Sequence, residues 1–252
     1  MTSLRNSQTE ARRQRLHELV SGGTGLVLAL FMWGHVLLVG SILTGERGFD
    51  WMATMLEDYY IAQPTVAAIF TLFIVHAVLA ARKIPAQLEE RKRMIRLAKD
   101  LNQSGREKVA TRRSNSPFTP HLESILWIWQ VRTGMIILVL GSFHLILLGL
   151  DVFTPLFGEV AGIESATSLA RVSAGLWLPY GILLLCVEFH ASVGLYRLAV
   201  KWGSDWLPSR RILHRVEQVI FWLVLGVGSL TLVVLAGWLE PPLAFLLTEA
   251  PS

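Results

Sequence analysis

The chain has 252 residues, of which 52% are hydrophobic and 17% are charged, and its mean hydropathy is +0.48. Because an average soluble domain carries about 25% charged residues, this composition predicts a polytopic membrane protein. The single cysteine, Cys186, excludes a disulfide framework, an iron–sulfur cluster and a haem attached through CxxCH. Basic membrane flanks explain the net charge of +4 better than nucleic acid binding does.

Five apolar segments of membrane length follow one another along the chain. The first, residues 21–43, is free of charged residues over more than 20 positions, which is enough to cross a hydrocarbon core of about 30 Å. Further spans are expected at 64–82, 127–150, 175–200 and 217–239. The pattern predicts an all-α integral membrane protein, with five transmembrane helices within residues 21–240 and a basic segment before them at residues 1–20.

The basic residues alternate between the two sides of these spans. Four lie before the first helix, eleven between residues 82 and 126, and five between residues 197 and 215, whereas the other two connections have one each. Since Lys and Arg are retained on the cytoplasmic side, we expect a cytoplasmic N-terminus, a cytoplasmic connection at 83–126 and a periplasmic tail at 241–252. Two interpretations of the basic connection stay open: a topology signal drawn to anionic membrane lipid, or a docking role.

One histidine lies in each of the first four spans, at His35, His76, His144 and His190. A titratable residue in hydrocarbon is costly and usually functional. Along helices that rise about 1.5 Å per residue, His35 and His144 lie roughly 20–25 Å from the cytoplasmic end, while His76 and His190 lie roughly 10 Å from it. The depths therefore form two pairs, which is what two haems with two neutral imidazole ligands each require.

A simpler interpretation is that each histidine only hydrogen-bonds a neighbouring helix. Two interpretations are also open for a pair of glycines that lie ten residues before histidines, Gly25 before His35 and Gly134 before His144. They either let a porphyrin approach the helix or serve ordinary small-residue packing.

Four stretches carry these histidines: FMWGH, HAVLAARKIP, TGMIILVLGSFH and, most specifically, VEFHASVGLYRLAVKWG. With them the chain, from about Gly22 to Gly203, resembles the dihaem cytochrome b subunit of fumarate reductases and menaquinone-linked succinate dehydrogenases. The resemblance implies that four of the five helices form a bundle around two stacked haems b. It also implies a proximal haem on His76 and His190 and a distal haem on His35 and His144.

By this resemblance the chain anchors a flavoprotein (FAD) subunit and an iron–sulfur subunit at the cytoplasmic face of a bacterial inner membrane. The oligomeric state stays open, with a dimer of the whole complex as one option. Menaquinol would be oxidised near the distal haem, and electrons would pass through both haems to the iron–sulfur subunit for fumarate reduction. Three alternatives stay open: the same complex run as a menaquinone-reducing succinate dehydrogenase, the dihaem quinol-oxidising subunit of a respiratory nitrate reductase, and a proton-coupled small transporter.

Two carboxylates are candidate catalytic residues under the resemblance. Glu188, two residues before His190, matches a residue implicated in transmembrane proton transfer, and burial would favour its protonated form. Glu57, in the acidic segment after Trp51, matches a carboxylate close to the quinol site, where a base would accept the quinol protons. The adjacent Asp58 is the alternative for this second role.

The resemblance also implies a set of residues that bind the haem propionates. Lys201 and Trp127 match residues of the proximal haem, whereas Ser21 stands where a larger amide donor is expected. Arg132 is expected to compensate for that departure, and Arg171 is expected to reach the distal haem. The alternative for each of these residues is that it snorkels to the membrane interface.

Overall fold

The computed structural model describes residues 2–108, 122–158, 162–203 and 210–247, and these residues form helices and turns without a strand. The described part of the chain contains seven α-helices in this order: α1 (Thr2–Gly40), α2 (Glu46–Asp58), α3 (Ala62–Lys108), α4 (Leu122–Phe153), α5 (Ser165–Arg171), α6 (Trp177–Trp202) and α7 (Arg210–Leu235). Short 3₁₀ turns follow α1 and lie near the end of the chain, at Ser41–Thr44 and Ala244–Leu246.

Five stretches of helix are long and apolar enough to cross a membrane: α1, α3, α4, the α5–α6 unit and α7. They confirm the all-α fold with five candidate spans. Many large apolar side chains on their surfaces are exposed, including Leu37, Val139 and Trp222. Such an apolar exterior suits a lipid environment, where the backbone is satisfied within each helix.

The helix ends differ from the expected spans. The helix α1 begins at Thr2, so the basic N-terminal segment continues the first span. The helix α3 runs through Pro85 to Lys108 and takes up the first half of the expected connection, while residues 109–121 lie outside the described part. The last helix ends at Leu235 rather than at residue 239, because Gly237 (φ +73°) begins a turn of the chain there.

The fourth span is broken near its start. Helix α5 is joined to α6 by a π turn at Val172–Leu176, in which Gly175 has φ +104°. A residue with a side chain is strained in this left-handed region, so glycine suits the position. The break lets the short α5 approach α2 while α6 stays in the bundle.

In the bundle, α1 packs on α3, α4 packs on α6, and α6 packs on α7. At one end, here called the capped end, a buried apolar cluster is formed by Ile42, Leu43, Phe49, Val172, Val234, Leu235 and Ala236. The short helices α2 and α5 meet at this end, where the Asp50 carboxylate accepts hydrogen bonds from the Ser165 amide (2.8 Å) and hydroxyl (2.9 Å). The opposite end, called the basic end, carries Arg197 and Lys201.

Candidate functional site

The first histidine pair lies towards the capped end and joins α1 to α4. The rings of His35 and His144 have centroids 6.2 Å apart and planes inclined at 66°. Phe31 stacks on His35 at 5.7 Å, and the Tyr180 ring meets His144 edge-on at 5.3 Å. Among the described residues, no hydrogen-bond partner reaches the buried Nδ1 of His144.

The second pair lies towards the basic end and joins α3 to α6. The rings of His76 and His190 have centroids 6.3 Å apart and are almost perpendicular, at 89°. Nδ1 of His76 donates to the carbonyl of Ser21 (3.2 Å), and Nδ1 of His190 donates to the carbonyl of Gln130 (2.9 Å). Since a carbonyl only accepts, each Nδ1 carries the proton and each Nε2 keeps its lone pair for a metal.

Two glycines show that the pairs lie at different depths. A Cβ at Gly25 would lie 2.9 Å from Cε1 of His76, and a Cβ at Gly134 would lie 2.9 Å from Cε1 of His190. Each glycine therefore lies at the depth of the second histidine pair. Because it is ten residues from a histidine of the first pair, the two pairs are separated by about 15 Å along the helices. The glycines also make room for the imidazoles themselves, as close small-residue packing does.

Both pairs have the spacing that an iron between two imidazoles needs. An imidazole nitrogen binds a metal at about 2 Å, so two ligands on opposite sides of an iron place their ring centroids roughly 6 Å apart. The observed separations of 6.2 and 6.3 Å match this value at both depths. With Nε2 free on His76 and His190, the residues present fit two bis-histidine haems.

The two candidate catalytic carboxylates differ sharply in exposure. Glu188 is 1% exposed within α6, and the described residues offer no hydrogen-bond partner to its Oε2. Glu57 is exposed in the last turn of α2, next to the equally exposed Asp58. Glu188 is therefore enclosed by the bundle, whereas Glu57 and Asp58 lie on the surface of the protein.

The structure gives the expected propionate residues protein partners. Ser21 contributes its carbonyl to His76, and Lys201 bonds Glu18 (2.6 Å). The guanidinium of Arg132 lies 5.4 Å from the Trp129 ring, on an exposed groove that Trp127 and Lys92 also line. Arg132 therefore lies where a side chain snorkels to the membrane interface, rather than inside the bundle.

Arg171, the cation expected to reach the distal haem, is buried at the capped end. It forms an ion pair with Asp151 and donates to the Ser168 hydroxyl at 3.2 Å. Asp151 was not expected from the sequence, although a carboxylate at the end of an apolar span, facing a connection with a single cation, was a usable signal. Gln130 was not expected either, because it orients His190 through its backbone carbonyl, which leaves no trace in residue type.

The fold and the two histidine pairs define a multi-pass helical membrane protein with paired histidines at two depths. Residues 106–235 match the family described as the succinate dehydrogenase/fumarate reductase transmembrane subunit. The chain is 35% identical over 188 residues to the fumarate reductase cytochrome b subunit of Wolinella succinogenes, an alignment that covers 71% of this chain and 64% of the relative. It is 31% and 30% identical over 219 residues to the subunits of the same name from two Helicobacter pylori strains, covering 83% of this chain and 76% of each relative.

The chain therefore belongs to the succinate dehydrogenase/fumarate reductase transmembrane subunit family. Its relatives are cytochrome b subunits, which implies haem b. The alignment with the Wolinella protein spans somewhat less than two thirds of that relative's length.

Proposed function

We propose that the chain is the membrane anchor of a quinol:fumarate reductase, which oxidises menaquinol near the capped end and delivers electrons at the basic end. The single observation that carries this proposal is the pair of depth-matched histidine sites with bis-histidine spacing. Two haems b bound there would supply one-electron transfer across the membrane. The names of the relatives favour fumarate as the final acceptor over nitrate.

In this proposal the histidines fix the positions of the haems. His76 and His190 would hold the proximal haem, and the Ser21 and Gln130 carbonyls would keep both imidazoles in the tautomer that presents Nε2. His35 and His144 would hold the distal haem, with Tyr180 packed against His144. The helices on which these residues lie are rigid, which suits ligands that must not move during electron transfer.

The carboxylates would handle protons. Glu57 is exposed at the capped end, where it would accept protons from the quinol hydroxyls. Glu188 is buried on α6 beside the proximal site and would carry a proton through the apolar interior. For the propionates, Trp127 and Lys201 stay the proposed partners at the basic end and Arg171 at the capped end.

The basic end is the proposed cytoplasmic face. Its Lys and Arg residues agree with the rule that cytoplasmic flanks are positively charged. A flavoprotein subunit and an iron–sulfur subunit would dock there and pass electrons to fumarate. Run in reverse, the same complex would oxidise succinate and reduce menaquinone.

The proposal is tested by a haem count on the purified chain, combined with identification of the subunits that purify with it. We expect two b-type haems per chain with low-spin, bis-histidine spectra, and a partner that contains flavin. A matched comparison uses His190→Ala against His214→Ala, because His214 is an exposed residue of α7. The first variant should keep one haem and the second should keep both.

Each competing function gives a different result in this experiment. A chain without haem would point to a proton-coupled transporter, whereas a molybdenum-containing partner would point to nitrate reductase. Two haems that both survive His190→Ala would show that the proposed pairing is wrong.

A further inference from the structure

A buried ion pair joins α4 to the end of α5 at the capped end. The Asp151 side chain is fully buried and that of Arg171 is 7% exposed. Arg171 also donates to Ser168 (3.2 Å), while Asp151 Oδ1 and Arg171 Nε find no hydrogen-bond partner among the described residues. Because removal of one member would leave an uncompensated charge in a low-dielectric site, the two charges act as a unit.

The pair lies close to the distal histidine site. Asp151 follows His144 by seven residues on α4, which is about 10 Å along the helix. Arg171 immediately precedes the π turn that leads to Tyr180, and Tyr180 contacts the His144 ring at 5.3 Å.

We propose that the Asp151–Arg171 pair sets the reduction potential of the haem held by His35 and His144, with Asp151 as the positioning residue. The inference rests on the proposed function. A guanidinium near the iron stabilises the reduced form, which carries one more electron, and so raises the potential. The Asp151 carboxylate holds the guanidinium in place and offsets its charge, and burial shields both groups from solvent screening.

The decisive experiment is redox titration, followed by optical spectra, of the two haems in the purified complex. Asp151→Asn leaves the Arg171 charge without compensation, since a guanidinium stays protonated. We expect a higher potential for the distal haem and an unchanged potential for the proximal haem. The double variant Asp151→Asn/Arg171→Gln is neutral at both positions, so its distal potential should lie below that of Asp151→Asn.

A structural control separates this electrostatic effect from a general loosening of the capped end. Asp50→Ala removes the carboxylate that joins α2 to α5 at the same end but leaves the Asp151–Arg171 pair intact. We expect it to leave the distal potential unchanged. The inference is overturned if Asp151→Asn does not raise the distal potential, if both haems shift equally, or if the double variant shifts further than the single one.

Two further results keep the test decisive. If Asp151→Asn does not bind haem, Arg171→Gln replaces it, and the distal potential is expected below the wild-type value; an unchanged or raised potential contradicts the inference. A wild-type chain without haem would refute the proposed function, whereas two haems with potentials indifferent to Asp151 would refute only this inference.

Discussion

At the scale of single residues, the environment of His190 is the most tightly defined part of the candidate site. Its Nδ1 is bonded to the Gln130 carbonyl (2.9 Å), and its ring lies against the backbone of Gly134. Both contacts come from α4, so this one helix determines the tautomer and the position of the imidazole.

Substitution of Gly134 by Ala should therefore disturb the proximal site. The new Cβ would lie 2.9 Å from Cε1 and 3.2 Å from Nδ1 of His190, so the ring or the helix must shift. Overpacking of this kind costs about 1–3 kcal/mol. We expect Gly134→Ala to lose most of the proximal haem, measured as haem per chain and as the low-spin spectrum.

The matched control is Gly149→Ala on the same helix, where a Cβ meets no atom within 4 Å. This variant should bind both haems normally. Normal haem content in Gly134→Ala would mean that His190 does not hold its ligand position through this contact.

At this scale the sequence shows the four histidines but not what holds them. A histidine stands out in an apolar span, because few polar residues are tolerated there. The carbonyls of Ser21 and Gln130, by contrast, belong to the backbone and could have come from any residue type. The partner of Arg171 was missed for another reason: Asp151 lies twenty positions away, and only folding brings the two together.

At the scale of helices, the Asp50 carboxylate joins two short helices, α2 and α5, at the capped end. Asp50 of α2 accepts two hydrogen bonds from Ser165, the first residue of α5, and Ser165 is only 2% exposed. This contact orients α5, which leads into the π turn and α6.

Asp50→Ala should weaken the fold of the full chain. The Ser165 amide and hydroxyl would be left buried without the carboxylate, which costs about 1–3 kcal/mol. We expect a lower midpoint of thermal unfolding, followed by circular dichroism in detergent. Asp58→Ala, on the same helix but exposed, should change stability by less than about 0.5 kcal/mol. Equal midpoints for the two variants would contradict a stabilising role of the Asp50–Ser165 hydrogen bonds.

The sequence predicted the spanning helices because a membrane span must be long and apolar, and those properties are visible in a window of about 20 residues. It predicted helix ends less well, because these depend on local hydrogen bonding. The end of α7 is an example: the amides of Gly237 and Trp238 bond back to Val234 and Val233, which closes the helix in a Schellman motif. The acidic segment 46–58 gave no membrane signal, and its helix α2 is positioned by tertiary contacts at the capped end.

At the scale of the whole molecule, each histidine pair connects two helices that are not main packing partners in the bundle. The helix α1 packs mainly on α3 and α4 packs mainly on α6, while α7 contacts both α1 and α6. His35 and His144 connect α1 to α4, while His76 and His190 connect α3 to α6. Each proposed haem would thus tie one helix couple to the other. Charge alternation in the sequence predicted these pairs, because it gave the direction of each helix and hence the depth of each histidine.

This arrangement predicts a specific pattern in a double-mutant cycle. Haem that binds only the folded chain stabilises it by about 2.7 kcal/mol at a hundredfold excess over its dissociation constant. His76→Ala and His190→Ala each remove one of two ligands, so either substitution should release the proximal haem and the stability that it supplies. The double variant should then be hardly less stable than each single variant.

If the histidines only packed against neighbouring helices through independent contacts, the losses of stability would add. Thermal unfolding of the four haem-loaded proteins measures the coupling, and additive losses with both haems retained would exclude a shared ligand between α3 and α6.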